Sequence, residues 1–200
     1  MLASKRYHHG NLEAALLESA LETIRIEGVD AVTLRGVGAK VGVSRTALYR
    51  HFSDKAALMA RVASEGFRLL RATLQDTWND ALKNPEANPD PISTLGHAYV
   101  RFALANQGYY RTMFGRIAAD WCTYPELMID GGQAFQILLD AVVLSQTAGR
   151  VVPGDPLGIA RVLWASVHGV AMLTMDGHLT LEDHVVELAT RSLREGIGIR

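Results

Sequence analysis

Residues Thr33–Lys55 read T-L-R-G-V-G-A-K-V-G-V-S-R-T-A-L-Y-R-H-F-S-D-K. Thr33 and Ser44 each stand before a run with helical spacing, where a hydroxyl accepts a bond from one of the first unpaired backbone N–H groups. Gly42 lies between the runs and supplies the backbone freedom that a sharp turn needs. The stretch therefore predicts two short helices, over about 34–41 and 45–52. At about 100° per residue, Leu48 and Phe52 fall on one side of the second helix, and Arg45, Thr46, Tyr49 and Arg50 on the other. The apolar side can pack on Val37, Val41 and Val43. Two short helices around a tight turn, with a basic and aromatic outer face, form the layout of a helix-turn-helix that enters the major groove of DNA.

The chemistry of that face suits the groove. Two guanidinium groups fit guanine edges or phosphates, the Thr46 methyl fits thymine, and the Tyr49 phenol fits phosphate. Thr33 and Ser44 sit at helix N-termini, where hydroxyls and unpaired N–H groups favour phosphate oxygen. Lys55 opens the next helix and can clamp the DNA backbone from the far side. Either arginine alone reads equally well as a solvated helix face. The combination of caps, glycine turn, apolar register and basic–aromatic face favours DNA. Gly36-Val37-Gly38 is not a nucleotide loop, because no strand precedes it and no βαβ unit follows.

Working outward, Leu16, Leu17, Ala20, Leu21 and Ile24 line one face of a helix over about 12–27, which Gly28 ends. A long fourth helix runs from near Asp54 to Leu82. Residues 83–92 hold three prolines and read as a connector. Ser93 is placed to cap a helix to about Asn106, and further helical segments fall near 109–120 and 125–149, the latter weakened by Gly131–Gly132. Asp155 caps and Pro156 opens a helix to Met175. Thr180-x-x-Asp183 resembles a capping box for a last helix over 181–195. No run alternates as a strand does. The expected fold is all-α: a helix-turn-helix domain over 1–55, then a helical domain over 56–200 entered through the long fourth helix.

Bulk properties agree. Net charge is −1, but residues 1–61 carry 9 Lys and Arg against 6 Asp and Glu, while the remainder carries 11 against 15. A basic N-terminal part on an acidic remainder has the sign expected of a DNA-binding domain. Cys122 is the single cysteine, so there is no intrachain disulfide, and the N-terminal residues lack the apolar stretch of a signal peptide. A cytoplasmic location is expected. The most apolar segment, Val162–Met175, is shorter than the ~20 residues that span a bilayer, so a buried helix and no membrane association are expected. An enzyme would need a nucleophile, an acid–base pair or a metal cluster. There is no G-x-S-x-G and no H-E-x-x-H, and His97, His168, His178 and His184 have no ligand spacing with Cys122. No enzymatic activity, metal or cofactor is expected. An architectural DNA-binding protein without ligand would fit the N-terminal half but leave the aromatic C-terminal half without a role.

Thr33–Lys55 resembles the N-terminal domain of the TetR family of transcriptional regulators, through Gly42-Val43-Ser44, Leu48-Tyr49, His51-Phe52 and Lys55. The resemblance is strong over about 10–60. It implies a three-helix DNA-binding domain, a linking fourth helix, and a helical C-terminal domain that dimerises and binds a small effector. By that resemblance the DNA contacts fall on Thr33, Arg35, Ser44, Arg45, Tyr49, His51 and Lys55. Thr46 stands where the family often has glycine, so the operator sequence does not carry over. Residues Lys5–Leu12 resemble one subgroup with a basic arm suited to an adjacent minor groove.

Trp164-x-x-x-His168-Gly169 and Tyr110–Phe114 also resemble that subgroup. On the residues alone, His168 is either a satisfied core histidine or a polar contact in a pocket. Aromatic and methionine side chains line cores as often as pockets. The resemblance implies an effector pocket among the middle helices, with Tyr110, Met113, Phe114, Trp121, Phe135, Trp164, His168 and Met172 as its candidates and a largely apolar ligand. It further implies a repressor that binds a pseudo-palindromic operator as a homodimer through helices 157–175 and 181–195, and that the effector releases.

Overall fold

The hydroxyls of Thr33 and Ser44 occupy the cap positions that their place in the sequence predicts. Thr33 Oγ1 accepts from the Gly36 N–H at 3.0 Å, and Ser44 Oγ from the Ala47 N–H at 3.2 Å. Between them Gly42 takes up the left-handed conformation, φ 76° and ψ 30°, that a side chain would strain. The computed structural model describes residues 12–88, 90–115, 123–180 and 183–195. Its helices are α1 (Leu12–Glu27), α2 (Leu34–Val41), α3 (Arg45–His51), α4 (Lys55–Lys83), α5 (Pro91–Ala105), α6 (Gln107–Met113), α7 (Pro125–Thr147), α8 (Pro156–Met175) and α9 (Asp183–Glu195), with a 3-10 turn at Val29–Ala31. Among the described residues there is no strand, and the fold is all-α.

The chain packs as two compact units, one within residues 1–66 and 108–128, the other within 67–107 and 129–200. This division differs from a boundary at 55/56. The start of α4 belongs with α1 to α3 because Leu58, Met59 and Val62 complete their core together with Leu16, Ala20, Val32, Val37, Leu48 and Phe52. α6 joins them because two glycines let it approach. A Cβ on Gly66 would stand 2.6 Å from Met113 Sδ, and one on Gly108 would touch Ile24 and Leu21.

In the second unit, α5, α8 and α9 pack on one another, and Ile92, Val142, Val151, Ala160 and Leu163 form a buried cluster. Several boundaries differ from the sequence expectation. α5 begins at Pro91 rather than after Ser93, because the Asp90 carboxylate caps it by accepting from the Ser93 N–H at 3.2 Å. α8 starts the same way: Asp155 accepts from the N–H groups of Leu157 and Gly158, and Pro156 opens the helix. The helix expected over 109–120 begins at Gln107 and ends at Met113, with residues 116–122 outside the described set. Gly131–Gly132 leave α7 unbroken. In α9 Val186 and Thr190 are buried among the described residues, Val185 is half-buried and Leu188 is exposed. α8 is also longer than its most apolar segment: α7 (23 residues) and α8 (20 residues), each with an 18-residue stretch of mean hydropathy 1.4, are long and apolar enough to cross a membrane by length and composition alone. Val142 in α7 and Ala160 and Leu163 in α8 are instead buried together in this unit.

Gly96 sets the approach of α5. A Cβ there would stand 3.0 Å from Thr190 Cγ2 and 3.3 Å from the Cγ1 atoms of Val167 and Val186, all on β-branched side chains that are stiff at χ1. Gly96→Val is expected to cost about 1–3 kcal/mol by overpacking, read as a lower midpoint in thermal unfolding. Gly132, inside α7 with open space beside it, is the control. Gly132→Ala is expected to stabilise by about 0.5–1 kcal/mol.

Candidate nucleic-acid interface and ligand pocket

α3 is seven residues long, too short to persist alone. Its orientation comes from Leu48 (3 % exposed) and Phe52 (5 %), which are sunk into the core of the first unit with Val41 and Val43 packed around them. That anchoring turns Arg45, Thr46, Tyr49, Arg50 and His51 to solvent, and Thr33, Arg35 and Ser44 are exposed as well. The Arg45 guanidinium lies over the Tyr49 ring, 5.5 Å from its centroid, an i,i+4 cation–π contact that pre-arranges the two side chains. Among the described residues Arg35, Arg45 and Arg50 enter no ion pair. Thr33 and Ser44 spend an oxygen lone pair on their caps, which leaves each O–H able to donate to an anion.

Lys55 is placed differently. It is half-buried, and its ammonium donates to the carbonyl oxygens of Val29 at 3.2 Å and Asp30 at 3.0 Å. This bridge pins the 3-10 turn, and with it buried Val32 and the Thr33 cap, to the start of α4. Lys40 ties α2 to α1 in a similar way, through Thr23 Oγ1 at 2.9 Å and Glu27 at 3.4 Å. Neither tether carries a signal in the sequence, because each links residues 13 to 26 positions apart. The basic arm expected at Lys5–Leu12 lies, but for Leu12, outside the described residues.

The candidate pocket residues divide between the units. Tyr110 and Met113 are fully buried in the first, with the Phe114 ring 4.9 Å from that of Tyr110. Trp121 lies outside the described residues. Phe135, Trp164, His168 and Met172 belong to the second unit, where the rings of Phe135 and Trp164 meet edge-on at 5.9 Å and those of Trp164 and His168 at 6.0 Å. A residue that the sequence reading did not single out, Tyr99 on α5, organises the group. Its hydroxyl accepts from the Trp164 Nε1–H at 3.1 Å and shares a hydrogen bond with His168 Nδ1 at 3.0 Å. Burial pushes the His168 pKa below its usual value, which favours a neutral ring. Because the Tyr99 oxygen already accepts from Trp164, its O–H is placed to donate to Nδ1, which assigns the Nε2–H tautomer. Beside Tyr99 and Trp164 lies an apolar cavity of about 30 Å³.

Residues 16–62 match the family of bacterial regulatory proteins called tetR, and residues 92–195 match the Tetracyclin repressor-like C-terminal domain. The chain belongs to the TetR family. It is accordingly a DNA-binding transcriptional regulator, of a family of regulators rather than enzymes. Over 194 residues it is 26 % identical to the uncharacterized HTH-type transcriptional regulator YobS of Bacillus subtilis (strain 168), covering 92 % of this chain and 90 % of that one. A protein of unknown function from Rhodococcus sp. RHA1 shares its structure with a TM-score of 0.82 at 33 % identity, covering 96 % of this chain and 98 % of that one. The fatty acid degradation regulator FadR of Bacillus halodurans shares the fold at 12 % identity, with a TM-score of 0.74 over 94 % and 97 % of the two chains.

The position of Lys55 makes its role measurable. A lysine that contacts phosphate contributes about 0.9 to the slope of log affinity against log salt, whereas a tether contributes nothing to it. Lys55→Met is expected to weaken DNA binding and lower the unfolding midpoint with the salt slope unchanged, as read by fluorescence anisotropy at several salt concentrations.

Proposed function

We propose that this TetR-family protein is a homodimeric, ligand-responsive repressor that reads a pseudo-palindromic operator through α3 and is released from it by a small, largely apolar effector. The observation that carries the reading is the outward face of α3, where Arg45, Thr46, Tyr49, Arg50 and His51 are exposed together while Leu48 and Phe52 anchor the helix. In this reading Arg45, Thr46 and Arg50 meet base edges or phosphates, and Thr33, Arg35, Ser44, Tyr49 and His51 meet the DNA backbone. Functionally the DNA-reading part then ends near residue 55 and the effector and dimer part follows. No cofactor takes part, and the work is done in the cytoplasm, where the operator is.

The dimer is supported by an apolar stripe on α8. Val162 (50 % exposed), Gly169 and Leu173 (49 %) lie on one face of that helix, and Leu188 of α9 is exposed too. Nothing lies within 4 Å of where a Gly169 Cβ would stand, so packing within the subunit does not require glycine there. A partner helix approaching closely would. The effector site is supported by the Tyr99–Trp164–His168 group and its cavity, which includes Leu74 of α4 in its wall. α4 is one continuous helix with residues in both units, so repacking around Leu74 has a covalent route to the DNA-reading part. A coupling of about 1–3 kcal/mol would change operator affinity by about 5–150-fold.

Arg45→Ala is expected to lower operator affinity by at least about tenfold, since a good base contact is worth about 1–3 kcal/mol and is lost in both protomers. Tyr49→Ala is expected to do the same, since it removes a phosphate contact together with the ring on which Arg45 is stacked. Both variants should remain dimeric and folded. Unchanged affinity in both would overturn the assignment of α3. Gly169→Leu is expected to convert the dimer to a folded monomer in sedimentation, with operator binding lost in parallel; a dimer that persists in Gly169→Leu and in Val162→Glu would remove α8 from the interface.

A further inference from the structure

Among the described residues, the wall of the Tyr99 cavity contains no ionisable acid or base that could serve as a counter-charge: aliphatic residues of α4, α5, α7 and α8 make up most of it, and Tyr99, Trp164 and Thr190 supply its polar side chains. Each of these polar groups is engaged within the protein. The Trp164 N–H is given to Tyr99, the Tyr99 hydroxyl is paired with His168, and the Thr190 hydroxyl donates to the carbonyl oxygens of Val186 at 3.0 Å and Glu187 at 3.1 Å. A carboxylate entering this space would lose its hydration without meeting a cation among the described lining residues, which is strongly unfavourable. A neutral hydroxyl can instead exchange into the existing network, accepting from the Trp164 N–H and donating to the Tyr99 oxygen. The cavity itself, about 30 Å³, holds about two water molecules, so any larger occupant must push its walls apart, Leu74 of α4 included.

From this we propose that the effector pocket selects uncharged, mainly apolar molecules bearing a single hydrogen-bonding group that Tyr99 reads, and rejects the corresponding carboxylates. The inference rests on the reading of this cavity as the effector site. The test uses full-length protein at pH 7.5 and matched pairs of one skeleton: 1-hexanol and hexanoate, 1-decanol and decanoate, benzyl alcohol and benzoate, with toluene as an apolar reference. Binding is followed by calorimetry and by the rise in unfolding temperature. The expected result is at least one alcohol that binds at least tenfold more tightly than its acid. Tyr99→Phe should then weaken that alcohol at least threefold and leave toluene unchanged. An acid that binds as tightly as its alcohol, or an alcohol indifferent to Tyr99→Phe, overturns the selectivity while the effector reading stands. If neither the alcohols nor toluene nor the acids bind, the cavity is not an effector site and both readings fall.

Discussion

The burial of Leu48 and Phe52 is the constraint on which the DNA-reading surface depends. A seven-residue helix has too few internal hydrogen bonds to offset the cost of nucleating it, so α3 exists because its ends and one face are held. Ser44 satisfies an N-terminal N–H, Gly42 closes the turn before it, and the two apolar side chains bury against α1, α2 and the start of α4. Each fully buried side chain of that size contributes about 1.5–3 kcal/mol. Because these two residues fix the rotation of the helix, they also fix which side chains face outward. The Arg45–Tyr49 stack, the Lys55 bridge to the 3-10 turn and the Lys40 bridge to α1 then reduce the freedom of what surrounds that face. Order arranged before binding is order that DNA need not impose.

The second unit is organised around a close approach of a different kind. Gly96 lets α5 settle against α8 and α9, and Tyr99 follows it by three residues on the same helix. That approach brings the Tyr99 hydroxyl within hydrogen-bond reach of two residues of α8, Trp164 and His168, which are themselves four apart. The result is a short polar chain in an apolar wall, where hydrogen bonds are strong and unpaired charges are costly. Such a wall discriminates by charge without needing a charged residue to do so.

α7 and α8 are long and apolar enough to cross a membrane by length and composition alone. A helix that buries one face within its own unit and keeps an apolar second face is apolar nearly all round. On α8 Val162 and Leu173, with Gly169 between them, form an exposed face, the one proposed for the dimer, and Ala160, Leu163 and Val167 a buried one. Composition cannot distinguish a lipid from a second protein surface.

Much of the first unit was legible in the residues from 12 to 55. Helix spans, caps and the glycine turn depend on interactions three or four positions apart, and the sequence displays those directly: α1 and α2 begin and end where spacing and caps place them. The side-chain periodicity of α3 likewise determined its inner and outer faces. Beyond that point the decisive contacts are non-local. Tyr99, rather than a residue of a motif, organises the cavity group through bonds to residues 65 and 69 positions away. Tyr110 and Met113 are packed in the first unit because Gly66 and Gly108 admit α6 there, a placement that no spacing in the sequence displays. The sequence by itself determined the helical class, the helix-turn-helix and the identity of its exposed face, since these follow from local periodicity and capping. Only the tertiary structure decided which distant side chains meet, because a hydrogen bond between residues 65 or 69 positions apart leaves no period in the chain that makes it.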